Sequence, residues 1–287
     1  MRKREYYSIR TGQRNGDVNL TLDQFKKLFL SLYKKYDVLC YFQQAFGTWC
    51  VDAGLVPGTL GPDVNGAILL TLRKEDLWPV WERIEWYEEA DIFDIIEFLF
   101  DTISKPIDGH YHNYSDCGWH YNTFNKAAGQ DIFRKEVNQI LSIYGKGYEL
   151  SAEGEILEFV EDGLAPLIEA SLPTFDPENV EGRVQIAVNK FRRYRSSLED
   201  RKNALRDLAD VLEYLRPTIK NVLDSKDEAD LFNIANNFGV RHHNRNQKTD
   251  YDQSIWCSWM FYYYLATIHA CIRFRDKAKK NIGTEAA

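Results

Sequence analysis

Between Asn236 and Lys248 the chain reads Asn-Asn-Phe-Gly-Val-Arg-His-His-Asn-Arg-Asn-Gln-Lys. Two histidines, two arginines, a lysine and several amides crowd into one connecting segment. An imidazole titrates near neutral pH and can take a proton from a hydroxyl. A guanidinium can grip a phosphate with two parallel hydrogen bonds and stabilise the charge that grows on it. Asn and Gln can orient a nucleophile or read a base. Together these are the groups that drive an RNA 2′-OH onto its neighbouring phosphate. The same residue types also cap helices and pair with acidic neighbours, and on residue type alone both readings stand.

A second cluster is His110-Tyr-His-Asn-Tyr-Ser-Asp-Cys-Gly-Trp-His120. Its HxH and CxxH spacings supply His110, His112, Cys117 and His120, enough for a tetrahedral zinc, with Asp116 as a further carboxylate. Structural zinc sites usually carry more cysteine in paired knuckles. The preferred reading is therefore an aromatic loop packed against the C-terminal bundle, with partner or RNA stacking as the alternative. Neither a metal nor a cofactor is expected. Further along, Lys190-Phe-Arg-Arg-Tyr-Arg195 sets Arg192 and Arg195 near one helix face. That is a solvated face, or a contact to an RNA backbone if the domain binds RNA. The Gly-rich run from Gly54 to Gly61 lacks the Lys and Ser/Thr of a phosphate-binding loop, which excludes nucleotide hydrolysis by that motif.

The elements that must position these groups read as helices. Thr21 with Gln24 forms a capping box, and Phe25, Leu28, Phe29, Leu32, Tyr36, Leu39 and Cys40 follow at helical spacing, predicting a helix to about Trp49. Residues 64–105 read as two helices broken near Pro79. The second carries an apolar run with Asp91, Asp94, Glu97 and Asp101 on its polar face. Residues 106–125 read as a loop, and a helix follows from about Gly129 to Tyr144. The stretch from Gly147 to Ile156 reads as a small hairpin with Gly154 in its turn.

Leu172-Pro-Thr-Phe-Asp-Pro177 is the candidate boundary, giving a helical domain over 1–172 and a bundle over 177–287. In the bundle, Val180 to Phe191 line one helix and Leu198 to Leu215 a second that stops at Pro217. A short third covers about Asp227 to Phe238, and a long fourth is capped by Asp252. Four antiparallel helices with short connections make a bundle, so the expected class is all-α with at most one small hairpin. His269 lies deep in the apolar fourth helix and reads as a core residue. Ile255 to Phe274 is long enough to cross a bilayer. Its Ser258, Thr267, His269, Arg273 and three consecutive tyrosines instead favour a helix packed among helices.

Composition agrees. Apolar residues reach 44% of 287, enough for a core in each of two domains. The net charge of −7 argues against a protein that coats nucleic acid with a broad basic surface, while leaving room for a small basic pocket. Five scattered cysteines without a CxxC read as reduced thiols, and the polar N-terminus lacks the pattern of a signal peptide. Both point to the cytoplasm.

The stretch Ala235-Asn-Asn-Phe-Gly-Val-Arg-His-His243 resembles the end of the third helix in the HEPN domains that close AbiJ-type abortive-infection proteins. Those domains place an Arg-Asn pair there and a His several residues later. Asn236, Gly239 and His242 fall on the motif, and Ala235 stands where the family has Arg. Phe93 to Asp101 and Gly147 to Ile156 are similar to the variable domains that precede HEPN in the same proteins. The resemblance implies a four-helix HEPN bundle, paired across a composite site, that cuts RNA without a metal as an anti-phage effector. It implies His242 or His243 as base and Arg241 as phosphorane stabiliser, with Arg245 beside it. Asn236 and Asn244 would hold the geometry, and Lys248, Arg192 and Arg195 would join Arg245 in binding the substrate. Because Ala235 departs from the motif, the alternative is a catalytically inactive HEPN scaffold that binds RNA or a partner protein. In the leading reading the N-terminal domain senses or regulates while the HEPN domain cuts RNA, with a phage trigger or partner protein among its partners.

Overall fold

A computed structural model of the chain describes residues 6–13, 19–159, 164, 167–168, 170, 172–220, 226, 228–230 and 252–285. The chain divides into two compact units, Met1–Glu158 and Phe159–Ala287. Most of the described residues are helical. The division falls before the proline-rich segment because Leu167, Ile168, Leu172 and Phe175 pack on the core of the second unit.

In the first unit, α1 (Tyr7–Arg10) precedes α2 (Leu22–Val38). Thr21 and Gln24 exchange the two hydrogen bonds of the expected capping box at the start of α2. The helix buries Phe25, Phe29, Tyr33 and Tyr36, one face at i, i+4, i+8 and i+11. It ends at Val38 rather than near Trp49. Cys40 takes a left-handed φ of 59°, which no continuing helix tolerates. The chain re-forms as a single turn, α3 (Gln43–Phe46), and then as β1 (Thr48–Cys50) paired with β2 (Gly54–Val56). Gly47 permits this: a Cβ there would fall 2.2 Å from the Val56 carbonyl oxygen.

Two helices follow as expected, α4 (Val64–Leu72) and α6 (Glu89–Thr102), with the short α5 (Val80–Arg83) between them. The acidic face of α6 is used. Lys74 pairs with Asp91 at 2.8 Å and Asp94 at 2.6 Å, and Glu97 accepts the Ile156 N–H at 2.7 Å. Residues 106–125 correct the expectation of a loop. They belong to β3 (Lys105–His112) and β4 (Gly118–Asn125), an antiparallel hairpin. Its strands alternate without an apolar face, so period-two patterning gives no signal. After α7 (Lys126–Leu141) comes the expected small hairpin, β5 (Tyr148–Leu150) with β6 (Ile156–Glu158). Among the described residues three hairpins therefore replace the single one expected, and the all-α reading holds only as predominantly helical.

In the second unit, a π-turn over Pro177–Glu181 leads into α8 (Gly182–Arg192), then α9 (Leu198–Tyr214), α10 (Arg216–Ile219) and the 33-residue α11 (Gln253–Glu285). Pro217 sits in the first turn of α10, where a missing N–H costs nothing. Asp252 caps α11 by accepting the Ile255 N–H at 3.0 Å. Val184, Val188, Leu205, Leu208, Leu212, Phe261, Tyr264, Leu265 and Ile268 form the seam, with Phe191 stacked on Phe261 at 3.9 Å. Among the described residues no helix is long and apolar enough to cross a membrane. Most of the expected third helix, Asp227 to Phe238, lies outside the described residues.

Gly154 holds φ at +91° in the β5–β6 turn, and a Cβ there would stand 2.5 Å from Cδ1 of the buried Phe100. Gly154→Ala combines backbone strain with overpacking and should cost about 2–4 kcal/mol. Chemical denaturation followed by tryptophan fluorescence checks this, with Gly12→Ala, whose added Cβ meets nothing, as the open-space control.

Candidate functional site

The polar segment expected to carry catalysis, with Asn236, Arg241, His242, His243, Asn244, Arg245 and Lys248, lies outside the described residues. Its flanks are defined by α10 on one side and the Asp252 cap of α11 on the other. Arg192 and Arg195 do not share a helix face. Arg192 is in the last turn of α8, whereas Arg195 lies beyond the helix end with a left-handed φ of 51°. The Arg195 guanidinium rests 5.2 Å from the Tyr194 ring centre. Much of the basic run around them is already neutralised. Lys190 pairs with Asp207 at 2.7 Å, and Arg206 meets Glu199 at 3.1 Å and the Asn203 amide oxygen at 2.6 Å.

His269 is buried, at 7% exposure, as the sequence suggests. It borders an apolar cavity of about 420 Å³ with Leu167, Ala266, Ala270, Arg273, Phe274 and Lys277. Burial, aided by the Arg273 charge, holds its pKa below the ordinary 6.5.

The structure brings a second set of groups together in the first unit. The register of β3 and β4 pairs His110 with His120, Tyr111 with Trp119 and His112 with Gly118. Side chains two apart share a face, so His110, His112 and His120 stand on one side of the ribbon. The connecting turn contains Ser115 at φ 50° and Asp116 at φ 55°, and Gly118 follows at 100°. Tyr111 ties this turn by donating to Asp116 at 2.6 Å. The turn swings Cys117 to within 3.2 Å of His120 Nε2. The fourth group comes from the other hairpin. Cys50, at the end of β1, places Sγ 3.8 Å from His112 Nδ1. The ligand atoms of Cys50, His112, Cys117 and His120 all lie within 4.8 Å of one another. His110, one of the four in the spacing-based set, instead stacks on His120 with ring centres 5.5 Å apart. Both border an open cleft of about 560 Å³ beside Gln43, Thr48, Pro57 and Asn122.

The backbone of Asp52 and Ala53 beside the Cys50 sulfur holds its pKa below the ordinary thiol value. His112 presents its other nitrogen, Nε2, to the Asp52 carboxylate at 3.3 Å, which orients the ring with Nδ1 toward the sulfurs. Three other thiols differ from Cys50. Burial pushes Cys271 up to about 11 and raises Cys257 and Cys40 as well. Cys50 escapes sequence reasoning because it stands 62 residues from His112 with no local motif.

A comparison of the chain with protein-family models, curated proteins and solved structures finds no match in any of the three.

The lowered pKa of His269 has a consequence for stability. Neutral His269 is favoured in the fold, so its contribution is present above the unfolded value of about 6.5 and is lost as pH falls below it. Thermal melts at pH 7.5 and 5.5 should show a larger acid-induced drop in Tm for the native chain than for His269→Gln.

Proposed function

We propose that the chain is an anti-phage effector of the abortive-infection type, whose C-terminal unit is a HEPN bundle that cuts RNA without a metal. The observation that carries this reading is a pairing of sequence with place. A segment holding Arg241, His242, His243, Asn244 and Arg245 precedes the capped N-terminus of α11 in the sequence, within a unit whose described residues are mostly helical. HEPN chemistry calls for that order of elements, with the base and the guanidinium between the third and fourth helices.

His242 or His243 takes the proton from the 2′-OH, and the resemblance favours His242. The oxygen attacks the adjacent phosphorus, and Arg241 stabilises the charge on the non-bridging oxygens. The 5′-oxygen leaves, so the products carry a 2′,3′-cyclic phosphate and a 5′-hydroxyl. Asn236 and Asn244 hold the geometry. Arg245, Lys248, Arg192 and Arg195 contact the RNA backbone, the last two from separate segments rather than one helix face. Such bundles work in pairs. The exposed pair Trp256 and Trp259, 37% and 43% exposed with ring centres 5.2 Å apart, supports a homodimer through an aromatic patch. The free cysteines suit a reducing, cytoplasmic setting. Ala235, where the family has Arg, favours one alternative: an inactive HEPN scaffold that binds RNA or a partner.

RNA digestion with end-group analysis separates the two. Replacing the catalytic His by Ala should cut cleavage and cell toxicity by about 10²–10⁴-fold with little change in Tm. Arg241→Lys should also reduce activity sharply, since an ammonium lacks the planar two-pronged contact. Cleavage should survive EDTA. Metal-dependent cutting that leaves 3′-hydroxyl ends would sink the mechanism, and no cutting by the native chain favours the scaffold. Light scattering should show a dimer at micromolar concentration. A monomer removes the composite site.

A further inference from the structure

We infer that Cys50, His112, Cys117 and His120 form a four-ligand zinc site that fastens the β3–β4 hairpin to the β1–β2 hairpin. This reverses the sequence-based expectation of no metal, and it concerns the N-terminal unit independently of RNA cutting.

Three observations converge on it. The first is geometric. A tetrahedral site with Zn–S of about 2.3 Å and Zn–N of about 2.0–2.1 Å has ligand-to-ligand edges of about 3.3–3.8 Å. Cys50 Sγ to His112 Nδ1 is 3.8 Å and Cys117 Sγ to His120 Nε2 is 3.2 Å, with every other pair inside 4.8 Å. A small contraction around an ion completes the tetrahedron. The second is chemical. Two thiolates and two imidazoles select zinc over hard cations such as Mg²⁺ and Ca²⁺. The outer group is one that a metal site uses: the Asp52 carboxylate stands 3.3 Å from the far nitrogen of His112. Four protein ligands leave no open position, so the site is structural rather than catalytic.

The third is energetic. None of residues 105–125 is buried, yet they form an antiparallel hairpin of two eight-residue strands, with register shifts around Asp108. Trp119, Tyr111 and Ile107 are 47%, 46% and 57% exposed, and Trp49, Leu55 and Val56 on the facing hairpin are exposed as well. A two-stranded ribbon without a buried face is marginal in water. The Gln43 side chain donates to Trp119 O and accepts from the Tyr121 N–H, but this ties β4 to α3 and not to the β1–β2 hairpin. A metal supplies the missing cross-link and joins positions 50 and 117, far apart in the chain. Binding exchanges two thiol protons for one Zn²⁺, so two protons leave per ion.

The test uses the full-length chain, expressed with supplemental zinc and dialysed against metal-free buffer. Elemental analysis should give one zinc per chain. The chain stripped with a chelator and titrated with Co²⁺ should develop the visible absorption of a four-coordinate thiolate site. Cys50→Ser and Cys117→Ser should each lower zinc affinity at least tenfold, and Asp52→Asn by about 10–100-fold. His110→Ala should retain full zinc, which separates this set from the HxH/CxxH set read from spacing. Chymotrypsin should cut at Tyr111, Tyr114 or Trp119 several-fold faster after chelation. Should a cysteine variant fail to fold, the Co²⁺ titration of the native chain still decides. Less than about a tenth of an equivalent of zinc in the native chain would overturn the proposal. So would a Cys50–Cys117 disulfide in peptide mapping, or undiminished zinc in Cys50→Ser. His242→Ala and His243→Ala should keep their zinc, so failure of the nuclease reading and failure of the metal site are read separately.

Discussion

A two-stranded ribbon has no face that it can bury by itself and two edges with unpaired backbone groups, and the N-terminal unit is organised around that constraint. Each of its hairpins is held by something outside the ribbon. The Asn138 amide of α7 mimics a third strand for β5: it donates to Leu150 O at 3.1 Å and accepts from Leu150 N at 2.7 Å. Gln43 does the same for β4. The β5–β6 hairpin also sends Leu150, Ile156 and Leu157 into the core, with Phe100 filling the space over Gly154. The longer β3–β4 hairpin sends none of its residues there. Its far end converges instead on Cys50 through His112, Cys117 and His120. The helices α2, α6 and α7 form the apolar frame, and side-chain amides and a Cys/His cluster hang the ribbons from it.

The two units spend their cysteines differently, and the chemistry follows the surroundings. Cys257 and Cys271 are surrounded by the apolar seam of the C-terminal unit, where burial keeps them as thiols. Cys50 sits at the end of a strand, where the backbone of Asp52 and Ala53 holds its pKa below the ordinary thiol value. The same residue type is packing material in one place and a ligand in the other. The histidines divide in the same way. His269 is kept neutral in a core, whereas His112 faces a carboxylate that favours coordination through its opposite nitrogen.

In the C-terminal unit the helices are built on a seam that local sequence already implies. Leu205, Leu208 and Leu212 recur at three- and four-residue spacing and meet Phe261, Tyr264 and Ile268 of α11. A frame of this kind fixes where the connecting segment starts and ends. It leaves the chemistry to the side chains of that segment, and the function proposed above rests on their types.

By itself the sequence determined what depends on neighbours along the chain. The capping box at Thr21, the acidic face of α6, the glycine in the β5–β6 turn and the helix started by Asp252 were all legible from patterns of a few residues. So was His269 as a core residue, whereas His112, Cys117 and His120 were read together with His110 and no metal was expected. The early end of α2 at Val38 was not legible, because apolar spacing continues to Cys40 and only the backbone reversal there stops the helix. Nor was the β3–β4 hairpin, since its strands carry polar and aromatic residues on both faces and show no period-two apolar signal. Likewise, Arg192 and Arg195 looked like one helix face until the helix was seen to end between them. The exchange of His110 for Cys50 in the ligand set was decided by tertiary structure alone. Capping and periodicity act between residues a few positions apart, whereas a ligand cluster requires two hairpins to converge, and no spacing in the chain records that meeting.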